Sequence, residues 1–386
     1  MSQLQDATAI RHYLHQHPEL SNQEFKTTAF LKARLEDLGY RIITPASLKT
    51  GVVAEIGPEN APVIVLRADI DALPIKEQTG LNYASENEGV MHACGHDFHM
   101  TSLLLAAERL VEKADNLTAR VRLLFQPAEE INRGAKQVIA SGILSDVSYI
   151  AGFHNEPSLN AGQMAVKAGA RNAAVDRFSV RLKGKGGHAA RPHENNDPIV
   201  AATTLISALQ TIISRNTNPF HPAVLSVTHI EAGSTWNVIP DEAWFEGTIR
   251  TFTDEDREGI KKRFYQTVQG QADAFDLEAE IDWEEGPAVL NNRADLAQLL
   301  AAKIQDKVEL IDLPATTGGE DFALYTQTIP AIFAEIGSGG NSSLHHSDLI
   351  LDDAGLETAA TWYTTAVEGL SELLTQTHEI AQEQVV

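Results

Sequence analysis

Eight residues, His92-Ala-Cys94-Gly-His96-Asp97-Phe-His99, hold the only cysteine of the 386-residue chain, three of its 14 histidines and a carboxylate. A thiolate and imidazoles two positions apart can converge on one soft-to-borderline divalent ion, because an extended or turning backbone brings alternate side chains to one side. An isolated Cys-x-His is more often a buried structural cysteine beside surface histidines. Here further candidates follow: Glu129-Glu130 after a strand, His154 in another strand-end context, and His345-His346 towards the C-terminus. Ligands drawn from separated segments are how a folded enzyme assembles a metal site. The stretch therefore reads as the first half of a metal centre.

Glu129 and Glu130 are adjacent, so they need not share one task. In a turn after Pro127, one can bind metal while the other faces a water whose pKa the metal lowers. Alone, a Glu-Glu pair is usually just solvated, and its weight here comes from context. Upstream, Arg67-Ala-Asp69-Ile-Asp71 delivers two carboxylates at the end of an apolar run, where an unpaired charge is costly. Loop capping is the alternative reading for that pair.

These residues must be positioned by elements. Ala7 to Leu14 suits an opening helix, and Ser21-Asn-Gln-Glu24 has the form of a capping box for a second one carrying Leu31, Leu35 and Leu38 and stopped at Gly39. Val52–Ile56, 63–66, 120–125 and 149–153 are strand-like, alternating with helices at 100–110 and 134–140. That order argues for a mostly parallel, helix-flanked sheet whose strand ends gather ligand groups. Near Phe178 the pattern becomes half-solvated. Strands at 178–182, 223–230, 243–251 and 277–283 enclose helices that begin at Asp197-Pro198 and Asp256, a β-α-β-β-α-β ferredoxin-like order. The helix after Asp197 is expected to bury Ile199, Ala202, Leu205, Ile206, Leu209 and Ile213. A helix from Ala294, a strand at 331–336 and a closing helix from Leu356 follow. The expected architecture is α/β: a discontinuous catalytic domain over 1–177 and 287–386, with an inserted lid or dimerisation-type α+β domain over 178–286.

Composition narrows the class. Hydrophobic content of 43% and charged content of 22% suit a globular chain long enough for two domains. A formal charge of −23 argues against nucleic acid or an anionic membrane as partner. A lone cysteine fits a reducing compartment, no signal-peptide core opens the chain, and no stretch approaches the roughly 20 apolar residues of a membrane span. A cytoplasmic protein is expected. Nucleotide-binding glycine motifs are absent from the sequence.

Six motifs in order carry a resemblance: His92-Ala-Cys-Gly-His-Asp97, Gln126-Pro-Ala-Glu-Glu130, Gly152-Phe-His154, Gly186-Gly-His188-Ala, Asn237-Val-Ile-Pro240 and Gly247-Thr-Ile-Arg250. Together they resemble the metal-dependent amidohydrolases of the hippurate hydrolase, auxin-conjugate hydrolase and N-acetyl-diaminopimelate deacetylase branch, within the wider aminoacylase and carboxypeptidase G metallopeptidase family. The similarity spans about Ile10 to Leu356. It implies two divalent ions, zinc or manganese with cobalt or nickel admissible, held by Cys94, His96, Glu130, His154 and a C-terminal histidine. Relatives often read His-x-Pro there. This chain has Leu344-His345-His346-Ser347, and counting back from the proline position assigns His345. The resemblance makes Glu129 the base that activates the water and protonates the leaving amine. It gives His188 the oxyanion, and Asn237 and Arg250 the substrate carboxylate, for which a guanidinium fork is suited. Asp69, Asp71 and Asp97 are candidates to orient ligand imidazoles, and the Gly318–Phe322 loop is expected to border the site.

The reaction so implied is hydrolysis of an N-acyl amino acid by a homodimer or higher homo-oligomer. A dipeptidase or aminopeptidase using the same metals is the nearest alternative. A thiol amidase with Cys94 as nucleophile and His96 as base is a second class, indifferent to chelators. A non-catalytic binder is a third, for which Glu129 would have no use.

Overall fold

Short buried strands joined by amphipathic helices give this chain two separately packed cores. The computed structural model describes residues 3–383, with side chains as far as Gln376. It divides into a larger unit (residues up to Gly169, Asn291–Pro314 and onward from Leu324) and a smaller one (Ala170–Leu290 and Ala315–Ala323).

The larger unit is built on an eight-stranded sheet. At one edge β1 (Arg41–Ile42) and β2 (Val52–Ile56) run antiparallel to their neighbours. The middle, β4 (Arg120–Gln126), β3 (Val63–Asp69), β5 (Val147–Glu156) and the strand Ala331–Gly337, is parallel. Every residue of β3 and of Ala331–Gly337 is buried. With both faces covered, such strands read as continuous apolar runs rather than alternating ones. Helices α1 (Gln3–Gln16), α2 (Phe25–Asp37), α3 (His96–Val111) and α4 (Gly134–Ala140) flank it, with the long helix Gly355–Glu383. α3 is buried from His96 through Ala107. Its apolar residues Phe98, Leu103 and Leu104 share a core with Trp362 and Tyr363 of the last helix, as an all-round apolar helix requires.

Two local expectations are corrected. α3 begins at His96, four residues before the apolar run, so His96, Asp97 and His99 lie on its first turn. Second, Ser21 and Glu24 form no capping box. α2 starts at Phe25 with its Lys26 and Thr27 amides received by the Glu19 carboxylate at 3.2 and 2.8 Å, and Ser21 and Glu24 bond elsewhere.

In the smaller unit the strands Ala174–Lys183, Ala223–Ala232, Glu242–Thr251 and Glu278–Glu285 form one antiparallel sheet, with Glu242–Thr251 and Ala174–Lys183 central. Helices α5 (Pro198–Thr211) and α6 (Asp254–Ala274) pack on one face, which is the ferredoxin-like order. Asp197 caps α5 through the amides of Ile199 and Val200 at 2.9 and 3.4 Å. α5 buries Ala201, Ala202, Leu205 and Leu209, but Ile199, expected in the core, is 37% exposed because it shares a face with Val200 and Thr203. Pro198–Asn216 passes a membrane-crossing test by length and composition alone, as a core helix also can. Here its apolar stripe covers the sheet.

Candidate metal centre

The geometry around Cys94 starts with a glycine. Gly95 precedes α3 at φ 85°, and a Cβ there would meet the Asn155 amide at 2.6 Å. Only glycine fits a left-handed position with a neighbour so close. The resulting turn sends Cys94 and His96 towards one point. His96 donates from Nδ1 to the Asp71 carbonyl oxygen at 2.8 Å, which leaves Nε2 facing inward, 3.8 Å from Glu130 Oε1. His154, on β5, donates from Nδ1 to the Asn155 carbonyl at 2.7 Å and turns Nε2 to Cys94 Sγ, 3.4 Å away. His345 arrives on a loop at φ 65°, its amide bonded to the Ala93 carbonyl at 2.8 Å. Its Nε2 lies 3.3 Å from Cys94 Sγ and 3.6 Å from Glu130 Oε2. His346 is exposed and belongs to no such cluster among the described residues.

Two trios of donor atoms share the thiol: Cys94, His96 and His154, and Cys94, Glu130 and His345, each within 4.8 Å. Tetrahedral zinc with nitrogen at about 2.0–2.1 Å and sulfur at about 2.3 Å sets neighbouring ligands about 3.3–3.6 Å apart, close to the separations found. The donor set and its spacing fit divalent ions. Protonation points the same way. Burial, then the Glu130 carboxylate, push the Cys94 thiol well up, and burial with Asp71 and Asp69 nearby takes Glu130 to about 7. A cation in their midst reverses that preference, since thiolate and carboxylate are what it binds.

Glu129 adjoins the cluster, with a carboxylate oxygen within 4.8 Å of donor atoms of His96 and Glu130. Its backbone and that of Glu130 are held by Asp71, whose Oδ1 and Oδ2 accept their amide hydrogens at 3.1 and 3.0 Å. Asp69 accepts from His99 Nδ1 at 2.6 Å and pairs with Arg67 at 2.7 Å. His99 Nε2 in turn lies 2.7 Å from the Asn155 side-chain oxygen and 3.0 Å from the Asn155 backbone nitrogen, and burial lowers the pKa of the ring to about 4. It packs edge-on to His154, with centroids 4.7 Å apart. Asp97 points away from the cluster, to Arg11 Nε at 3.2 Å and His15 Nδ1 at 2.9 Å on α1. The three aspartates thus have three different partners. Sequence reasoning gave no role to His99 or Asn155, and it read Ser21 and Glu24 as a helix cap rather than as part of this site. Only His99 carried a signal, its place in the cysteine motif.

The remaining candidates, His188, Asn237 and Arg250, lie in the smaller unit. His188 pairs with Val238 in a two-stranded ladder, and the Ala189 amide bonds to the Asn237 carbonyl at 3.1 Å, so His188 and Asn237 are neighbours. His188 Nδ1 accepts the Ala190 amide hydrogen at 3.1 Å, which places the ring proton on Nε2. Arg250 projects from the sheet face opposite the helices. It has no hydrogen bond or ion pair among the described residues, and burial lowers its pKa. The loop residues Glu320 and Asp321 are buried in this unit.

A family model described as Peptidase family M20/M25/M40 matches residues 65–369. The chain belongs to this family. It is 49% identical over 349 residues to N-acetyl-L-cysteine deacetylase of Bacillus subtilis, covering 90% of this chain and 84% of the relative. It is 37% identical over 362 residues to hippurate hydrolase of Campylobacter jejuni, covering 92% and 94%. Among solved structures, the Bacillus subtilis YXEP protein, a dinuclear metal-binding peptidase of the M20 family, superposes with a TM-score of 0.87 at 39% identity, covering 97% of this chain and 99% of that one. The sheet and both halves of this M20 chain therefore follow a fold known to hold two metals in a relative.

Proposed function

We propose that this protein is a metal-dependent N-acyl amino acid amidohydrolase, with Cys94, His96, Glu130, His154 and His345 as ligands to two divalent ions, zinc or manganese. The observation that carries the reading is the thiol shared between two trios of donors. Bound there, the ions would polarise the amide carbonyl and bring the pKa of water towards neutrality. The Glu129 carboxylate, its backbone held by Asp71, takes the proton of the attacking water and delivers it to the leaving amine. His188, with its proton on Nε2, serves as donor to the oxyanion. Arg250, unpaired on a sheet face rich in Glu242, Glu246, Glu280 and Glu284, supplies a guanidinium for the α-carboxylate, with Asn237 beside it. N-acetyl-L-cysteine is the first substrate to test, given the relative of that name.

A single cysteine, committed to the metal site, suits a reducing cytoplasm. Homodimerisation through the smaller unit is supported by the exposed Ile230 on the edge strand and by Trp236 and Phe220, 91% and 90% exposed; light scattering with and without Ile230→Lys reads it. The functional test is hydrolysis of N-acetyl-, N-benzoyl- and aminoacyl-blocked amino acids by metal-stripped and by zinc- or manganese-restored protein, with Glu129→Gln as control. Metal-dependent release of free amino acid from acyl substrates supports the reading. Preference for aminoacyl substrates makes the protein a dipeptidase, and activity that survives chelation makes it a thiol amidase.

A further inference from the structure

The turn that carries Glu129 is backbone that holds itself on one side only. Ala128 sits at φ 55° and Asn132 at φ 54°, a region that L-residues with a Cβ rarely enter. Its C-terminal side closes on itself. The Asn132 amide reaches the Glu129 carbonyl at 2.7 Å, and the Gly134 amide reaches the Ala128 carbonyl at 2.9 Å. Gly134 permits this, since a Cβ there would lie 1.8 Å from the Pro127 oxygen.

The N-terminal side is held from elsewhere in the chain. Glu24 Oε1 accepts the Ala128 amide hydrogen at 2.9 Å, and Asp71 accepts those of Glu129 and Glu130. Ser21 donates its hydroxyl to Asp71 Oδ2 at 2.6 Å. Three successive amides are thus received by two carboxylates that are 0% and 1% exposed. Hydrogen bonds compensate the buried Asp71, while on Glu24 only Oε1 is so compensated and burial raises its pKa. The segment bearing Ser21 and Glu24 is itself tied down: Glu19 accepts at its carbonyl from the Ala72 amide at 2.8 Å, and Asn22 accepts from Gln137 at 3.0 Å. Neither Ser21 nor Glu24 caps α2, although their spacing would permit it.

We infer that Glu24 and Ser21 are positioning residues for the Glu129 base: Glu24 locks the left-handed Ala128 directly, and Ser21 aims Asp71 at the two following amides. This rests on the reading of Glu129 given above. Neither side chain needs to touch substrate or metal. Each acts by fixing where the Glu129 carboxylate stands, and small misplacements of a reacting group cost rate rather than binding.

The test uses full-length metal-loaded enzyme with N-acetyl-L-cysteine, or the acyl amino acid turned over fastest in the panel. In Glu24→Ala, kcat is expected to fall about 10–100-fold while KM stays within about twofold, as for partners that orient a site. Metal content stays at the wild-type value. Glu24→Gln, whose amide oxygen can accept the same hydrogen, restores most of kcat. In a Glu129→Gln background, Glu24→Ala has no further effect on the residual rate, because the group it positions is gone. Wild-type kcat in Glu24→Ala overturns the inference. So does failure of Glu24→Gln to rescue, or an undiminished effect in the Glu129→Gln background. If Glu24→Ala does not fold, Ser21→Ala decides: reduced kcat with full metal content supports the assignment, and unchanged kcat refutes it. A wild-type enzyme inactive on the whole panel, or a fully active Glu129→Gln, sinks the proposed function instead. A normal wild type with an inert Glu129→Gln and a silent Glu24→Ala sinks only this inference.

Discussion

The candidate residues of the two units are held in contrasting ways. Around Cys94, two imidazoles and two backbone amides have a second partner that fixes them: the Asp71 carbonyl for His96, the Asn155 carbonyl for His154, and the Asp71 carboxylate for the backbone of Glu129 and Glu130. In the smaller unit, His188 and Asn237 are exposed, and the guanidinium of Arg250 makes no hydrogen bond or close ion pair among the described residues, with only the charge of Asp176 acting on it. A cation cage gains from rigidity, because its ligands must be converged before the ion arrives. Groups that grip a transient substrate gain from being left unsatisfied, since a ligand then supplies the missing bond.

The largest effect that sharpens this contrast is Glu129→Gln, expected to lower kcat by about 100–10,000-fold with metal content unchanged by elemental analysis; loss of metal instead would move Glu129 into the cage. Next, Arg250→Met is expected to lower kcat/KM by about 100-fold with metal affinity untouched. Unchanged steady-state kinetics would remove Arg250 from substrate binding. His99→Leu should weaken metal binding by about tenfold in chelator competition, because Asp69 and His154 lose the ring that packs against them.

The smallest effect concerns stability. Burial opposes the charge on His15, but Asp97 and Glu77 outweigh it and raise its pKa from 6.5 to about 9. A raised pKa means the protonated form is favoured by folding. Its contribution is full below pH 6.5 and is lost as pH climbs through 9. Wild type should therefore lose about 1–3 kcal/mol relative to His15→Gln across that window, read as converging urea midpoints. Parallel curves would show that His15 is not charged in the folded protein.

Much of this architecture was legible because buried strands and amphipathic helices leave periodic traces. The continuous apolar run of β3 and the alternation from Phe178 to Leu182 distinguished a covered sheet from a half-solvated one. That a thiol, imidazoles and carboxylates gather in one place followed from their types and order. The start of α3 did not, because Gly95 disguises as a loop what is the first turn of a helix. Nor could sequence say which aspartate serves which neighbour, since Asp69 and Asp71 leave the same strand end and part only in three dimensions. Ser21 and Glu24 were misread for a related reason. A local pattern matched a capping box, while the true partners lie 50 and 104 residues away.

The central claim is met most directly by crystals of the zinc-loaded protein measured at the zinc absorption edge. The account expects two anomalous peaks, one among Cys94, His96 and His154 and the other among Cys94, Glu130 and His345, with the sulfur common to both. Peaks confined to other residues, or none within bonding distance of Cys94, would contradict it.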